Sequence, residues 1–403
     1  MYNEALRWLF KYLEPEDIIS SLLRYSSVKP RIVEVDARKS IGYRAAEDII
    51  ASNDIPLNDI SHFDGYAVRG LEVCEEYNII ENVSSLDLCQ ATYITTGSSI
   101  PENTDAVIPI ERVKVVNGKV KVYGSIRKGF GIISKGSDVK KSYLVIRHGE
   151  IINPIHIRII TELGIEYIKV YNPIKISIIS TGDEFINKKK HETSSLLIEY
   201  FIRLFSLGTV NKNIVCGDDV KELIEKFKET IKESDLVIVL GGVSLGVNDY
   251  SYKALLELNP IYTFRGIKVQ PGRATSGGIV DKKIVVLLPG LIQSTISGML
   301  FIVAPVVSYL YGTHFSVPTY YTVLIKSYNC SEFSSFRRLR FVKHEGNGAE
   351  IIESTSAHAM PIIDSNGFII IDKYIKELKA GSIIKVHTIP FLMVGKTLYN
   401  FQF

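Results

Sequence analysis

Residues 235–250 read DLVIVLGGVSLGVNDY, and this stretch largely decides the predicted fold. Leu236 to Leu240 is an uninterrupted apolar run with three consecutive β-branched residues, which is typical of a strand buried on both faces. Gly241 and Gly242 follow directly. There the chain can turn with a positive φ angle and bring backbone N–H groups close to a ligand.

Polar residues follow this glycine pair at Ser244 and Asp249, with a further glycine at Gly246. A buried strand that runs into a glycine loop with a hydroxyl and a carboxylate is how open α/β sheets hold phosphates and metals. A tight turn without any ligand produces the same local pattern, because glycine loops are common. On this stretch alone the two interpretations are equally supported.

The same arrangement recurs elsewhere, and the repetition favours a binding site. Ile174 to Ser180 is an apolar run that ends in Thr181-Gly182-Asp183-Glu184, and Ile284 to Leu288 ends in Pro289-Gly290. A further glycine turn is Gln270-Pro271-Gly272-Arg273. Because the carboxyl ends of parallel strands meet at one edge of a sheet, these loops are predicted to line one crevice.

Length and composition narrow the class of protein. With 403 residues, 46% of them hydrophobic and 23% charged, the chain is expected to form several globular domains. The net charge of +3 gives no sign of a nucleic-acid or membrane-surface partner. Arg337 to His344 is rich in basic residues, and alternation along a strand predicts that these side chains share one solvated face.

The four cysteines, Cys74, Cys89, Cys216 and Cys330, are scattered and form no zinc or iron–sulfur pattern. This usage indicates a reducing compartment, and with no signal sequence at the N-terminus a cytoplasmic location is predicted. Residues 284–311 carry no charge, but Pro289-Gly290 and several polar residues interrupt them. A buried strand followed by a buried helix is therefore favoured over a membrane span.

Hydrophobic periodicity divides the chain into regions of different type. Residues 4–13 and 40–50 are predicted to be helical, and residues 77–145 are a succession of short strands and turns. Strands alternate with helices from residue 173 to residue 312, which predicts a three-layer α/β domain. Short strands return after Pro318.

Several motifs together resemble those of the molybdopterin molybdenumtransferase family, which includes bacterial MoeA and the E domain of gephyrin. The resemblance covers roughly residues 15–400. It rests on HFDGYAV at 62–68, on Thr96-Gly97 with Pro101 and Asp105-Ala106-Val107, on Gly136-Ser137-Asp138, on the loops quoted above, and on SAHAM and SNGFIII near the C-terminus.

This resemblance implies a multidomain fold of class α/β plus β. It comprises a three-layer α/β domain of the molybdopterin-binding type, a β-rich inserted module and a C-terminal β-barrel-like domain. The domains are predicted as an N-terminal linker domain (1–52 and 144–172), the DGYA-bearing β module (53–143), the α/β domain (173–315) and the C-terminal β domain (316–403). The family further implies a homodimer whose cleft combines the α/β domain of one subunit with the DGYA module of the other.

The implied reaction inserts molybdenum or tungsten, taken from molybdate or tungstate, into adenylylated molybdopterin with release of AMP. Mg²⁺ is the implied cofactor, and a molybdopterin adenylyltransferase is a possible partner enzyme. The positions that match the family's catalytic residues are Asp64, Thr96, Asp138, Glu184 and Asp249. Glu184 and Asp249 are assigned to the metal, because carboxylates with phosphate oxygens suit Mg²⁺.

The predicted substrate-binding residues lie in the glycine loops and near them. They are Thr181, Gly182, Gly241, Gly242, Ser244, Gln270, Gly272, Arg273, Pro289, Gly290 and Ser294.

Some of these loops depart from the family pattern. Gln270 stands where the family carries a lysine, and Leu291, Ile292 and Gln293 replace the residues usual after Pro-Gly. These changes indicate a diverged paralogue and leave a second hypothesis open, a non-catalytic dimeric molybdopterin-binding or scaffold protein. A nucleotide pyrophosphatase or adenylyltransferase built on the same α/β domain is a third, which the DGYAV module disfavours.

Overall fold

The computed structural model describes residues 11–243 and 249–389. The helix predicted at residues 4–13 therefore lies largely outside the described residues. The chain forms two compact units, one of residues 1–33 and 171–403 and one of residues 34–170. The finer division into four domains stays a prediction.

The first described helix, α1 (Pro15–Tyr25), belongs to the larger unit. Proline at the first helical position and two acids in the first turn suit a helix start, because neither disturbs the unpaired N–H groups there. Ile18 and Leu22 are fully buried on one face of the helix. They belong to the main core of the larger unit.

The smaller unit is built mainly from short strands. After β1 (Ile32–Asp36), which enters it, come β2 (Arg44–Ala45), β3 (Ile49–Ile50), β4 (Ile60–Ser61), β5 (Gly65–Val68), β6 (Glu76–Ile79), β7 (Gln90–Ile94), β8 (Ala106–Pro109), β9 (Val113–Val116), β10 (Lys119–Val122), β11 (Ile132–Ile133), β12 (Leu144–Ile146), helix α2 (Pro154–Glu162) and β13 (Tyr167–Tyr171). The principal sheet has the order β8-β5-β7-β6-β10-β9. The β-rich module predicted from residue 77 onward is thus present.

The helix predicted at residues 40–50 is wrong. A 3₁₀ turn at Ala37–Lys39 is followed by Gly42 with φ of +85°, and the next residues form β2 and β3. β2 pairs in the sheet β1-β13-β2, and β3 pairs with β12. Hydrogen bonds to partners far along the chain therefore outweigh the local helical pattern at these positions.

The larger unit contains the predicted three-layer α/β domain. Its elements are β14 (Lys175–Thr181), α3 (Asp183–Ile186), α4 (Ser194–Leu204), β15 (Thr209–Cys216), α5 (Val220–Glu233), β16 (Leu236–Leu240), α6 (Tyr250–Glu257), β17 (Tyr262–Arg265), β19 (Ser276–Val280), β20 (Lys283–Leu288), α7 (Ile292–Gly298) and α8 (Ala304–Leu310). Strand β18 (Val269–Gln270) lies between β17 and β19 in the chain but pairs with the C-terminal β structure. The sheet order is β15-β14-β16-β20-β19-β17, parallel except at the β20–β19–β17 end.

Alternate residues of the central strand supply the two faces of this sheet. Leu236, Ile238 and Leu240 join the core that contains α1, α4 and the α7–α8 region. Val237 and Val239 join the opposite core, which contains α5 and α6. All five side chains are at most 2% exposed, so the apolar run is explained by burial on both faces.

The apolar segment that follows β20 is one helix, Ile292–Leu310, with a π-helical turn at Met299–Val303 between α7 and α8. The π turn directly precedes Pro305, whose missing N–H and bulky ring disrupt the regular α-helical ladder. The helix is long and apolar enough to cross a membrane, but 78% of its apolar window is buried inside the fold. The prediction of a buried strand and helix is confirmed.

The last part of the larger unit is a closed β structure. It contains β21 (Thr319–Leu324), β22 (Tyr328–Asn329), β23 (Arg337–Glu345), β24 (Gly348–Ile351), α9 (Met360–Asp364), β25 (Gly367–Ile371), β26 (Glu377–Leu378) and β27 (Ile383–His387). The order β23-β24-β21-β27-β25 closes through a further β25–β23 pairing. The predicted C-terminal barrel is confirmed.

The prediction that the basic residues of β23 share one solvated face is wrong. Arg338 is completely buried, and its guanidinium donates hydrogen bonds to the carbonyl oxygens of Cys330, Ile375 and Asp372. These carbonyls lie in the segments around the short pair β22–β26. A buried cation is tolerated here because carbonyl dipoles replace the lost water.

The cysteine expectation also needs correction. Cys74 and Cys89 form a disulfide within the smaller unit, whereas Cys216 and Cys330 are free and buried. This pairing is at odds with the reducing compartment that the cysteine usage indicated. Nothing in the residue spacing marked these two as partners, because only the fold of β6 and β7 brings their segments together.

Candidate functional site

Three parallel strands end side by side at one edge of the α/β sheet. In register, Ser180 of β14 lies beside Leu240 of β16, and Leu240 lies beside Leu288 of β20. The loops that follow these strands, beginning at Gly182, Gly241 and Pro289, therefore meet at the carboxyl edge of the sheet. This is where open α/β sheets bind ligands, as the sequence predicted.

Glycine is required at the centre of this edge. Gly241 has φ of +88°, and a Cβ atom there would lie 2.6 Å from the carbonyl oxygen of Thr181. Gly242 has φ of +58°, and its Cβ would lie 2.5 Å from Oγ of Ser251. Side chains are excluded at both positions, so the loops approach each other closely.

A cavity of about 490 Å³ opens beside these loops. Five of its lining residues, one threonine and four glycines at the strand ends, were predicted to bind substrate, and most of the others come from the segment after β14. The lining residues are Ser180, Thr181, Gly182, Glu184, Phe185, Lys190, His191, Glu192, Ser194, Asp218, Leu240, Gly241, Gly242, Gly290 and Leu291. A cavity of this size suits a small-molecule ligand.

Two hydroxyl groups at the cavity have different environments. Thr181 Oγ1 donates to Asp218 Oδ1 at 2.7 Å and lies 3.0 Å from the carbonyl oxygen of Gly217. Ser180 Oγ is buried and has no hydrogen-bond partner among the described residues. Because Ser180 is 0% exposed, its hydroxyl lies behind the cavity surface and does not face a ligand there.

The predicted metal ligands are not assembled around one point. Glu184 lies in α3 and lines the cavity. Asp249, which is 1% exposed, caps α6 by accepting from Tyr252 N, and its Oδ2 lies 2.8 Å from Arg265 Nη2. The Arg265 guanidinium also stacks on the Tyr252 ring, 4.8 Å from its centroid.

These contacts test the assignment of Mg²⁺ to Glu184 and Asp249. The Asp249 carboxylate already has a charged partner, and it is not among the residues that line the cavity. Within residues 11–243 and 249–389, no group of three or more His, Cys, Asp or Glu side chains is placed to hold a metal ion. Of the assigned pair, Glu184 alone lines the cavity, and Asp249 is paired with Arg265.

The remaining predicted substrate-binding residues lie away from the cavity lining. Gln270 belongs to β18, which pairs with β23, and its Oε1 is buried without a hydrogen-bond partner among the described residues. The Arg273 guanidinium stacks on Phe333 at 5.0 Å. Gly272 packs against Ser297, and Ser294 is buried in α7.

Pro289 accepts a hydrogen bond at its carbonyl oxygen from Thr295 Oγ1 at 2.7 Å, which fixes the loop before α7. Ser244 lies outside the described residues.

The smaller unit holds the other three predicted catalytic residues. Asp64 Oδ1 accepts hydrogen bonds from Thr96 N at 2.6 Å and Thr96 Oγ1 at 2.9 Å. The hydrogen bond from the Thr96 backbone, followed by that from its hydroxyl, lowers the pKa of Asp64. Asp138 lies 3.6 Å from Arg158 in an exposed ion pair. The structure thus brings Asp64 and Thr96 together.

Sequence reasoning missed several cavity residues. Asp218 lies two residues after the end of β15 at Cys216, and its position after an edge strand of the parallel sheet was the available signal. Lys190 and His191 follow α3 in a basic run, and no sequence motif marks this run as part of a site. Only the fold shows that the end of this run reaches the cavity.

Comparison with known proteins agrees with this geometry. The description "MoeA N-terminal region (domain I and II)" matches residues 3–164, and "Probable molybdopterin binding domain" matches residues 177–309. A Methanocaldococcus jannaschii protein provisionally named as a molybdopterin biosynthesis protein is 29% identical over 92% of this chain and 95% of its own. A Staphylococcus aureus molybdopterin molybdenumtransferase is 25% identical over 94% of both chains.

The fold of a solved structure is also similar to that of this chain. The molybdopterin biosynthesis MoeA protein from Pyrococcus horikoshii superimposes with a TM-score of 0.71 and 26% sequence identity, over 94% of this chain and 99% of that one. The two matched family regions follow each other along the chain, and full-length relatives and this structure agree with them. The chain belongs to the molybdopterin molybdenumtransferase (MoeA) family, as a diverged member.

Proposed function

We propose that this protein inserts molybdenum or tungsten, supplied as molybdate or tungstate, into adenylylated molybdopterin and releases AMP. The observation that supports this most is the cavity of about 490 Å³ at the carboxyl ends of β14, β16 and β20. It combines glycine loops with the carboxylates of Glu184, Glu192 and Asp218. Relatives over nearly the full length of the chain carry the transferase name.

The substrate's phosphates suit this edge of the sheet. Gly241 and Gly242 leave no side chain between the loop and the cavity, so phosphate oxygens can approach the backbone closely. The hydrogen bond from the Thr181 hydroxyl to the Asp218 carboxylate fixes this part of the cavity wall.

The proposal includes a homodimer, and it keeps the predicted cytoplasmic location although a disulfide such as Cys74–Cys89 is unusual in a reducing compartment. Asp64 and Thr96 belong to the smaller unit and would act in the cleft formed with the α/β domain of the partner subunit. An ionised Asp64, stabilised by Thr96, suits substrate positioning or acid–base work. Handover from a molybdopterin adenylyltransferase fits the chemistry of the substrate.

Mg²⁺ dependence stays a prediction with a narrower structural basis. Glu184 is the member of the assigned pair that lines the cavity, and Mg²⁺ on a pyrophosphate commonly uses only one or two carboxylates. Asp249 instead holds α6 and Arg265.

Single-turnover reconstitution tests the proposed function. Purified protein is mixed with adenylylated molybdopterin, with and without molybdate, and AMP and protein-bound molybdenum are quantified. The expected result is molybdate-dependent release of one AMP per molybdenum retained. Tungstate in place of molybdate shows which metalate the site prefers.

The same experiment separates the proposal from the scaffold hypothesis. Tight binding of molybdopterin with no AMP release under any metalate or divalent cation would favour a non-catalytic binding protein. A Glu184→Gln variant provides the control, because it should bind substrate but release AMP more slowly.

A further inference from the structure

The segment between α3 and α4 is held against the cavity at both of its ends. The backbone N–H groups of Lys189 and Lys190 donate to the Glu184 carbonyl oxygen at 2.9 and 3.1 Å. Further along, Glu192 accepts hydrogen bonds from the backbone N and hydroxyl of Ser195 at the start of α4. The basic run Lys188-Lys189-Lys190-His191 is therefore not a free tail but a connection with a defined path.

The residues of this run have different positions. Lys190 and His191 line the cavity, whereas Lys188 and Lys189 do not. Among the described residues, neither Lys190 nor His191 has a carboxylate within ion-pair distance. They are also the only basic residues in the described lining of this cavity.

The arginines near the glycine turns have other partners. Arg273 stacks on Phe333, Arg265 is paired with Asp249, and a neutral glutamine stands at position 270. The cavity lining itself carries the acids Glu184, Glu192 and Asp218. An anionic phosphate would be repelled by these carboxylates unless a cation shares the cavity.

We propose that Lys190, with His191 beside it, is the cationic contact for the phosphate groups of a nucleotidyl substrate in this cavity. The inference rests on the proposed function for the class of substrate. In the family pattern a lysine at position 270 would supply this cation. Here position 270 is a glutamine and Arg273 stacks on Phe333, so the α3–α4 connection supplies the cation instead. Lys189, one position earlier, stays in solvent.

A matched set of variants tests the assignment. AMP and inorganic pyrophosphate serve as probes, and their affinities are measured by calorimetry for the wild type, Lys190→Gln, Lys190→Arg and Lys189→Gln. Lys190→Gln is expected to weaken pyrophosphate binding about three- to fivefold, the size of a partly exposed charge pair. Lys190→Arg should retain binding, since the charge is kept, and Lys189→Gln should match the wild type.

The salt dependence provides a readout that a structural role would not change. The wild-type affinity for pyrophosphate should fall with rising salt concentration, and Lys190→Gln should show a shallower dependence than Lys189→Gln. Equal losses in Lys189→Gln and Lys190→Gln would overturn the assignment, because they would show only a general effect of surface charge. Wild-type affinity in Lys190→Gln would overturn it as well.

The outcomes distinguish this inference from the proposed function. Molybdate-dependent AMP release with a Lys190→Gln variant of unchanged affinity would contradict the inference alone. Selective loss of pyrophosphate binding in Lys190→Gln, in a protein that never releases AMP from adenylylated molybdopterin, would contradict the proposed function alone. A wild type that binds neither AMP nor pyrophosphate at millimolar concentration would overturn the inference.

Discussion

Asp249 Oδ2 lies 2.8 Å from Nη2 of Arg265, and the side chains of both residues are largely buried. This contact changes the expected role of Asp249. The Asp249 carboxylate caps α6, and its partner Arg265 stacks on the Tyr252 ring. Asp249 therefore has a structural role in the α/β domain. Its removal is therefore expected to affect stability as well as activity.

We predict that Arg265→Gln lowers the free energy of unfolding by about 3–5 kcal/mol, because it leaves a buried carboxylate without its cation. Asp249→Asn retains an oxygen that can cap α6 but removes the charge. The double variant should therefore be more stable than the sum of the two single changes implies. Urea denaturation of all four proteins measures this coupling.

The more exposed ion pair between Lys283 and Asp235, at 3.2 Å, is the matched control. Lys283→Gln is expected to change stability by less than about 1 kcal/mol. Strict additivity of Arg265→Gln and Asp249→Asn would show that the two side chains do not interact energetically.

The cysteines should respond to thiol reagents in two classes. The disulfide between Cys74 and Cys89 predicts two titratable thiols in denaturant without reductant and four after reduction. In the native protein Cys216 should be inert at neutral pH, because burial, followed by the nearby Glu222 carboxylate, raises its pKa to about 12. Four thiols in freshly prepared, unreduced protein would show that Cys74 and Cys89 are not paired.

The Asp64–Thr96 contact predicts a measurable shift in titration. Hydrogen bonds to the ionised carboxylate keep the folded-state pKa of Asp64 below 3.8, its ordinary value. This contribution to stability is present above the unfolded pKa and is lost as the pH falls through the folded pKa. Carboxyl-selective NMR titration of Thr96→Val should show the Asp64 pKa move upward, because only the hydroxyl donor is removed.

Thr95 is a suitable control, since its hydroxyl bonds to Ser98 and not to Asp64. Thr95→Val should leave the Asp64 titration unchanged. An identical Asp64 titration in Thr96→Val and the wild type would contradict the role given to the threonine hydroxyl.

Much of the α/β domain was predictable because its signal is local. The runs at 236–240 and 284–288 are apolar on both faces, and the structure places them as central strands with the predicted glycine loops at their ends. The short strands after Pro318 were predictable from strand-length segments, whereas their closure into a barrel was implied only by the family resemblance. Thr181, Glu184 and Gly241, which the motifs assigned to one site, all line the same cavity in the structure.

The failures share a cause in contacts between residues far apart in the chain. The segment 40–50 has a helical pattern, but its strands pair with β12 and β13 about a hundred residues later. Arg338 was predicted to be a surface residue, but its guanidinium is buried and donates hydrogen bonds to the carbonyl oxygens of Asp372 and Ile375. Gln270 occupies a position that the family uses for its site. The pairing of β18 with β23 of the barrel, however, places it outside the cavity lining.

The central claim is that the cavity beside Gly241 binds adenylylated molybdopterin, and Gly290→Val tests it most directly. Gly290 lines the cavity, and a Cβ atom there would come no closer than 3.8 Å to Gly241 Cα. The valine should therefore occupy the cavity without disturbing the loop. We predict an unchanged melting temperature and an affinity for adenylylated molybdopterin, measured by calorimetry, that falls at least about tenfold. Wild-type affinity in a correctly folded Gly290→Val protein would contradict the account.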